Sequence, residues 1–401
     1  MLFLYFVELS WLLVDSFSGY FINHGIYLPF GQSVASLFRI VVTIYFIYFL
    51  IRFHNKKLVT KIALIALIVL ISLSLVHLFL YGAEYVIHGL QFSLKVLYPF
   101  ILFSIIKVQI DTGYLSFKKF KNIIYVNYSV LVVNVFLGVL GIGFAKYGQG
   151  ADGFIEGGKG FFFSGNELSG AFLALVSLML ILNVNKSTVS NAFVISISFI
   201  TALLLFSKTT FAGFILILFF YLFFVLKNRF VFYSMLLIPP LFALITFEYW
   251  IDFLLNAFAR WEHFMSIGTS FTDGLTSGRT RRLDEFWWLL ETDSLFLLIG
   301  LGGYYKAVLS VELDFFDLLI RLGIFITLIV YIFWGYLAFI NVRFGIKKRS
   351  REAIMACYSI CLLVCVGLIA GHVMYSAMLA PFIIFLALFF RIPPTTQKLV
   401  L

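Results

Sequence analysis

The chain has 401 residues, of which 62% are hydrophobic and only 12% are charged. Soluble domains carry about 25% charged residues, so 19 acidic and 29 basic side chains are too few to cover a soluble protein of this length. The composition excludes a soluble globular protein, a disordered chain, a disulfide scaffold and a nucleic-acid-binding protein. It predicts an all-α polytopic membrane protein. In such a protein the net charge of +10 first indicates the orientation in the membrane, because Lys and Arg collect in cytoplasmic loops.

Twelve apolar stretches are long enough to form transmembrane helices, and charged residues or Gly, Asn and Ser separate them. They run near residues 1–16, 33–51, 62–81, 92–108, 123–145, 166–184, 191–206, 210–226, 230–247, 317–340, 353–370 and 373–390. The first stretch has no basic residues before it and no small-residue cleavage site after it. We therefore expect it to remain as a span and not to be removed as a signal peptide.

Basic residues fall mainly in alternate loops, as at 52–61, 118–121 and 343–351. Because cytoplasmic loops collect Lys and Arg, this pattern predicts that both termini are cytoplasmic. The chain then divides into nine spans within 1–247, one large outside loop at 248–316, and three spans with a cytoplasmic tail at 317–401.

The outside loop concentrates charged and aromatic residues. It holds more than half of the acidic residues and most of the tryptophans, which are Trp250, Trp261, Trp287 and Trp288. Apolar residues recur there at helical spacing, which predicts a helix near 281–292 with an apolar face on the membrane. That face is formed by Leu283, Phe286, Trp287 and Leu290.

Basic residues on the outside run against the orientation rule, so they are candidates for binding an anion. Lys208, in LLLFSKTTFAGF, lies where the seventh span turns back, and it is either a fixed cation for a lipid-linked phosphate or a snorkelling side chain. Arg279, Arg281 and Arg282, in TSGRTRRLDEFWWLL, can bind phosphate oxygens in pairs. The alternative is a solvated helix start, paired with the acids that follow.

Three carboxylates, Glu312, Asp314 and Asp317, stand where the tenth span begins. The helix dipole favours acids at this position, and Asp317 is also placed for an intrahelical pair with Arg321. These effects explain Glu312 and Asp314 less well, because carboxylates at a membrane surface are costly unless water or a ligand reaches them. A general base needs such a carboxylate, so these two are the catalytic candidates.

Other polar residues in the apolar stretches have structural explanations. Ser164 and Glu167 match a capping box at the start of the sixth span. Arg39 and Lys95 lie inside spans, so each should face the bundle interior or snorkel to the surface. His372 is a lone histidine at an interface, which is more often structural than catalytic. The sequence has no metal-ligand spacing and no nucleotide-binding motif, so we expect no metal and no other cofactor.

Several short motifs follow one another in a fixed order. They are FFSGNELSG at 162–170, the SK turn at 207–208, SGR at 277–279, GLGG at 300–303 and the ExDxxDLLxxxGI motif that begins at Glu312. With twelve spans and one large outer loop, this order resembles the bacterial Wzy-type polymerases of O-antigen and capsular polysaccharide, in the O-antigen ligase/polymerase superfamily. Ligases of the superfamily typically carry a His-Asn pair where Glu312 and Asp314 stand, so the resemblance is to the polymerase branch. Lys208 departs from the pattern, since many members have Arg there.

The resemblance implies a GT-C-like glycosyltransferase of the bacterial inner membrane that needs no nucleotide sugar and no metal. The donor would be a glycan on undecaprenyl pyrophosphate and the acceptor a lipid-linked repeat unit, within membrane lipid and beside a flippase and a chain-length regulator of the same pathway. Glu312 or Asp314 would accept the proton, and Lys208, Arg279, Arg281 and Arg282 would bind the pyrophosphate. Glycan-binding candidates are Asn166, Trp287, Trp288, Tyr304 and Tyr305. An interfacial aromatic belt explains these aromatic residues equally well.

Two other functions fit the same span count. An O-antigen ligase performs the same chemistry with lipid A core as the acceptor. A polysaccharide flippase or other transporter also has about twelve spans and intramembrane charges, but transporters tend to show related halves. The single charged, Trp-rich outside loop of this chain favours an enzyme that works at one membrane surface.

Overall fold

A computed structural model of the chain describes residues 2–27, 33–53, 58–82, 85–145, 157–226, 279–292, 295–304 and 311–392. The described residues are predominantly helical, with helices α1 (Leu2–Leu9), α2 (Trp11–Asn23), α3 (Val34–Phe53), α4 (Leu58–Tyr81), α5 (Val86–Asp111), α6 (Phe117–Val139), α7 (Gly165–Asn183), α8 (Thr188–Leu204), α9 (Lys208–Phe220), α10 (Leu283–Thr292), α11 (Phe296–Ile299), α12 (Asp314–Lys348), α13 (Arg351–Ala370) and α14 (Ala380–Leu388). A π-helical turn, Tyr221–Val225, continues α9, and 3-10 turns lie at Arg279–Arg282, Gly302–Tyr304 and Phe389–Arg391. The predicted all-α class is confirmed at this level.

Eight of the described helices are long and apolar enough to cross a membrane, and the count is nine if α1 and α2 form one broken span. Helices α8 and α14 are also apolar but shorter. The predicted ninth span, 230–247, and the outside loop as far as residue 278 lie outside the described residues. The chain is therefore a polytopic membrane protein, while the total of twelve spans stays a prediction.

The centre of the bundle is formed by α5, α7 and α14. In the apolar windows of α5 and α7, 78% of the residues are buried, against 17% for α4. Helix α14 is buried along its whole length and contacts α5, α7, α12 and α13. Helix α4 therefore lies at the edge of the bundle, where its apolar side chains face lipid in a membrane.

Serine caps explain where several helices begin. The side chains of Ser116, Ser187, Ser207 and Ser350 each accept a hydrogen bond from a backbone N–H three residues later. The capping box predicted at Ser164 is wrong, because this side chain makes no cap hydrogen bond. Its intended partner, Glu167, instead accepts a hydrogen bond of 2.9 Å from the hydroxyl of Ser376. A distant partner thus replaces the local one.

A two-stranded antiparallel hairpin, β1 (Phe144–Ala145) with β2 (Gly158–Gly160), packs on α6. A Cβ atom added to Gly138 of α6 would lie 2.3 Å from the nitrogen of Gly160. Glycine at this position is therefore what allows the hairpin to lie directly on the helix. The hairpin covers the same end of the bundle at which α7 begins.

Helix α12 is broken at Gly323, where φ is 76°. The break leaves the carbonyl of Ile320 free to accept a hydrogen bond of 2.6 Å from the N–H of Leu301. A Cβ atom on Gly323 would lie 2.2 Å from the carbonyl oxygen of Leu298, so glycine permits this close approach. The segment around α11 is thereby fixed against the first turns of α12, next to the predicted catalytic acids.

Helices α1 and α2 meet at an angle of 55°, and one side chain of α6 bridges the break between them. The amide of Asn127 donates to the carbonyls of Glu8 and Leu9, at 3.0 and 3.3 Å, and accepts from the N–H of Leu12 at 2.9 Å. Backbone groups freed by the break need such partners, because no water is present in the membrane core.

Asn127→Ala is expected to lower the free energy of unfolding by about 2 to 4 kcal/mol, because it leaves these buried backbone groups without partners. Thermal unfolding in detergent measures the loss. The matched control is Asn122→Ala, on the same helix, whose amide lies at the surface and only reaches the Tyr5 hydroxyl at 3.5 Å. If both variants unfold at the same temperature, Asn127 does not hold the break.

Candidate active site

The chain between α13 and α14, residues 371–379, forms a non-helical loop buried within the bundle, which we call the polar loop. The last span was predicted to begin at residue 373, but the helix begins only at Ala380, so that boundary is wrong. Irregular backbone in a membrane protein is tolerated where protein surrounds it and satisfies its polar groups. The side chains that do so identify the site.

Asp314 is the main anchor of the polar loop. Its fully buried carboxylate accepts hydrogen bonds from three consecutive backbone N–H groups, those of His372, Val373 at 2.9 Å and Met374 at 2.7 Å. Charge-assisted bonds of this kind are strong. Asp314 was predicted as a catalytic residue, and these three hydrogen bonds show that it holds the polar loop in place.

Two further helices, α7 and α2, hold the polar loop in place. Asn166 of α7 donates to the carbonyl of Ala370 at 3.1 Å, directly before the loop. Glu167 accepts from Ser376, and the indole N–H of Trp11 donates to the carbonyl of Ala377 at 3.1 Å. Asn166, a predicted glycan-binding residue, is therefore engaged in anchoring backbone.

Glu312 lies two residues before α12 and is bound by two arginines. Its carboxylate contacts Arg279 Nε at 3.2 Å and Arg282 Nη1 at 3.1 Å. The side chain of Glu312 is 35% exposed, whereas Asp314 is fully buried. The structure thus brings Glu312 into contact with two predicted site residues that stand 30 and 33 positions before it in the sequence, and the cluster is partly exposed.

The electrostatics of this cluster determine what Glu312 can do. Partial burial raises the pKa of Glu312, but Arg282 and Arg279 lower it by more, so the net pKa lies below the ordinary value. In this arrangement the carboxylate is ionised near neutral pH and is a weak proton acceptor. Removal of the two guanidinium groups would restore its basicity.

Behind Glu312 a chain of hydrogen bonds leads into the polar loop. The N–H of Glu312 donates to Asp317 at 3.3 Å, and the hydroxyl of Tyr375 donates to the other oxygen of Asp317 at 2.9 Å. The same hydroxyl lies 3.1 Å from His372 Nδ1. Asp317, which the sequence assigned to a pair with Arg321, therefore also links Glu312 to the polar loop, and His372 belongs to the site region.

Lys208 lies at the same end of the bundle. Helices α7 and α9 run in the same direction, since Gly213 lies against Leu173 and, 11 or 12 residues further along each chain, Val184 and Val225 line one cavity. The first residue of α9, Lys208, is therefore level with the start of α7 and the polar loop. Its side chain is exposed, as a cation for a surface-bound anion must be.

The predicted helix near 281–292 is present as α10 (Leu283–Thr292). Phe286 and Leu289 form the buried face, and Phe286 packs against Phe296. Trp287 and Trp288 are more than half exposed. That the apolar side of this helix lies on the membrane stays a prediction. The two tryptophans lie beside the 3-10 turn that carries Arg279 and Arg282.

Three predicted site residues remain, which are Tyr304, Arg281 and Tyr305. The Tyr304 ring stacks on Tyr81, with ring centroids 5.4 Å apart and planes within 3°, so one face of it is already covered. Arg281 lies in the same 3-10 turn as its neighbours. Tyr305 lies outside the described residues.

Arg39 faces the bundle interior, one of the two positions predicted for it. Its guanidinium contacts both carboxylate oxygens of Asp15, at 2.6 and 2.7 Å, and both side chains are largely buried. Lys95, in contrast, is exposed. The Arg39–Asp15 pair crosslinks α2 and α3, and α2 also contacts the polar loop through Trp11.

Sequence reasoning missed the polar loop. The stretch 371–390 is apolar enough to be a span, but Gly371, Tyr375, Ser376 and Pro381 interrupt it. Glycine and proline within an apolar stretch are the signal that could have revealed the break.

No model of a known protein family, no curated protein sequence and no solved structure matches the chain. What supports a function is therefore the sequence pattern and the geometry of the site.

Proposed function

We propose that the chain is a membrane-embedded polysaccharide polymerase, which transfers a growing glycan from undecaprenyl pyrophosphate onto the non-reducing end of a lipid-linked repeat unit. The observation that carries the proposal is the partly exposed Glu312 carboxylate between Arg279 and Arg282. In this proposal the end of the bundle that holds the cluster faces the outside of the bacterial inner membrane, as the distribution of basic residues predicts.

The arginines supply the charge that the leaving group requires. Pyrophosphate leaves with negative charge, which fixed cations must neutralise in the transition state. Arg279 and Arg282 can each bind phosphate oxygens through paired N–H groups. Lys208 adds a third cation at the same end of the bundle.

The ion pairs of Glu312 couple donor binding to the activation of a base. A bound pyrophosphate competes with the carboxylate for both guanidinium groups. Once they turn to the phosphate, the pKa of Glu312 rises toward that of an ordinary or partly buried carboxyl group. Glu312 then becomes a competent proton acceptor only when the donor is in place.

The transfer itself balances without a further reactant. The hydroxyl of the acceptor sugar gives its proton to Glu312, and its oxygen forms a bond to the anomeric carbon of the donor glycan. The bond between that carbon and the pyrophosphate oxygen breaks, and its electron pair leaves with the pyrophosphate. The exposed rings of Trp287 and Trp288 offer stacking surfaces for the sugars beside this point.

The surface glycan of a strain that lacks this chain tests the proposal. A polymerase deletion leaves single repeat units in place of long chains, and restoring the wild-type chain restores the length distribution. Polymer that stays on its lipid carrier would identify a ligase instead. Loss of all repeat units from the outer surface would identify a flippase. Each of these last two results overturns the proposal.

A further inference from the structure

A cavity of about 640 Å³ opens at the opposite end of the bundle from Glu312. It lies between the α7–α8 turn, the end of the π-helical turn after α9, and the α12–α13 turn. Its walls are formed by Val184, Asn185, Lys186, Thr188, Asn191, Val225, Leu226, Lys348, Arg349, Ser350, Arg351 and Glu352. A cavity of this size is in the range of small-ligand sites.

The charge of the cavity wall is strongly positive. Among the described residues that line it, four are basic and exposed, and Glu352 is the one acid. The Arg351 guanidinium donates to the carbonyl of Val225 at 3.4 Å, and Lys186 donates to the hydroxyl of Tyr125 at 2.6 Å. Within the described part of the chain these two partners are neutral. The positive charge of the wall is therefore not cancelled by ion pairs there.

Lys348 and Arg349 project from the end of α12 with no side-chain hydrogen bond or ion pair to any described residue. Arg349 has a φ of 51°, in the left-handed region that favours glycine at the end of a helix. The N–H of Ser350 donates to the carbonyl of Gly345 at 3.0 Å, which closes the turn in the way that a glycine usually does. An arginine stands where glycine would form the turn at lower cost.

The first turns of α8 and α13 also line the cavity, and both helices are long enough to have a substantial dipole. Their positive ends add to the basic side chains. Helix α13 has 20 residues, so the cavity lies about 30 Å from the polar loop, which is the thickness of the hydrocarbon core. The cavity is therefore at the depth of the lipid headgroups in the second leaflet.

We propose that this cavity binds the phosphate of an anionic phospholipid headgroup from the leaflet opposite the candidate active site. Basic pockets between transmembrane helices suit such headgroups. Free inorganic phosphate shares the same chemistry, but the depth of the cavity favours a lipid. The inference does not depend on the proposed function.

The test is the thermal unfolding of the detergent-solubilised full chain, titrated with short-chain phosphatidylglycerol, with phosphatidylcholine, or with inorganic phosphate. Phosphatidylglycerol should raise the unfolding temperature in a saturable way, because a ligand that binds the folded state stabilises it. The other two additives should have little effect. A response to inorganic phosphate at similar concentrations would overturn the assignment to a lipid.

The double variant Lys348→Gln/Arg349→Gly removes two charges from the cavity wall and places glycine at the left-handed position. It should unfold at the wild-type temperature or above without lipid, yet need about 25-fold more phosphatidylglycerol, about fivefold for each charge. The matched control, Arg343→Gln/Lys347→Gln, removes two exposed charges from the same end of α12 outside the cavity. An equal loss in both variants would show that general surface charge binds the lipid, which overturns the proposal.

Discussion

Arg279→Ala and Lys208→Ala are each expected to reduce the rate of polymerisation by about 100-fold or more, while the amount of protein in the membrane stays near the wild-type level. Loss of one group that stabilises charge in the transition state costs on the order of 3 kcal/mol. The ion pair of Arg279 is partly exposed, so its loss should lower the free energy of unfolding by no more than about 1 kcal/mol. The assay is purified protein with lipid-linked repeat units, read as a ladder on a gel.

Charge-conserving variants separate phosphate binding from packing. Lys208→Arg should retain activity, because the positive charge is kept and a guanidinium binds phosphate at least as well. Arg343→Ala, which removes an exposed charge at the opposite end of the bundle, is the control for net charge. If Lys208→Ala produces polymer of normal length, Lys208 is only a snorkelling side chain. If Arg279→Ala produces polymer of normal length, the proposed mechanism is wrong.

Hydropathy predicts the long spans well because it measures how favourable it is to transfer a segment's apolar surface out of water, and this transfer is what stabilises a span in the membrane. The span predicted at 353–370 is α13 within two residues, and that predicted at 166–184 is α7 within one. The same measure fails at residues 371–379. It does not register whether a buried segment is helical, since a loop enclosed by protein costs little once Asp314 satisfies its N–H groups.

The candidate site was predictable as a set of residue types but not as a set of contacts. Basic residues that are predicted to lie outside, and carboxylates at the start of a span, are locally unfavourable, which is why Arg279, Arg282 and Glu312 could be selected. Their contacts join chain segments that are 30 or more residues apart. No local rule predicts that Glu312 pairs with arginines while Asp314 binds the polar loop, because burial alone distinguishes the two acids.

Backbone strain occurs at both ends of the bundle, at the candidate active site and at the basic cavity. Within the described residues, φ is positive at four residues other than glycine, which are Phe206, Glu312, Arg349 and His372. Such conformations cost energy and persist where surrounding contacts enforce them, often at functional sites. Glu312 and His372 lie at the candidate active site, Phe206 comes shortly before Lys208, and Arg349 lines the basic cavity. The strained positions therefore coincide with the two regions assigned to ligands.

Asp314→Asn should act on the fold before it acts on the reaction. The amide has one carbonyl oxygen in place of two charged ones, and its NH₂ group opposes a backbone N–H of the polar loop. We expect the free energy of unfolding to fall by about 2 to 4 kcal/mol, seen as a lower unfolding temperature in detergent. An unchanged unfolding temperature with lost activity would instead assign the catalytic proton to Asp314.

Glu312→Gln separates the two roles of the site, since it preserves volume but cannot accept a proton near neutral pH. The rate constant kcat should fall by at least about 100-fold, the usual contribution of a general base. The KM for the lipid-linked donor should fall as well, because the neutral amide no longer competes with pyrophosphate for Arg279 and Arg282. The unfolding temperature should stay near wild type, since these ion pairs are partly exposed.

The matched control for this variant is Glu291→Gln, an exposed acid at the end of α10 away from the two arginines, which should keep normal kcat and KM. If Glu312 were purely structural, Glu312→Gln would lower both the unfolding temperature and the activity. The KM of that variant for the donor would rise, because Arg279 and Arg282 would no longer be held in place. If Glu312 is instead a base that competes with the pyrophosphate for the arginines, the KM of the variant should fall. Normal ladders from Glu312→Gln would show that this carboxylate does not take the proton.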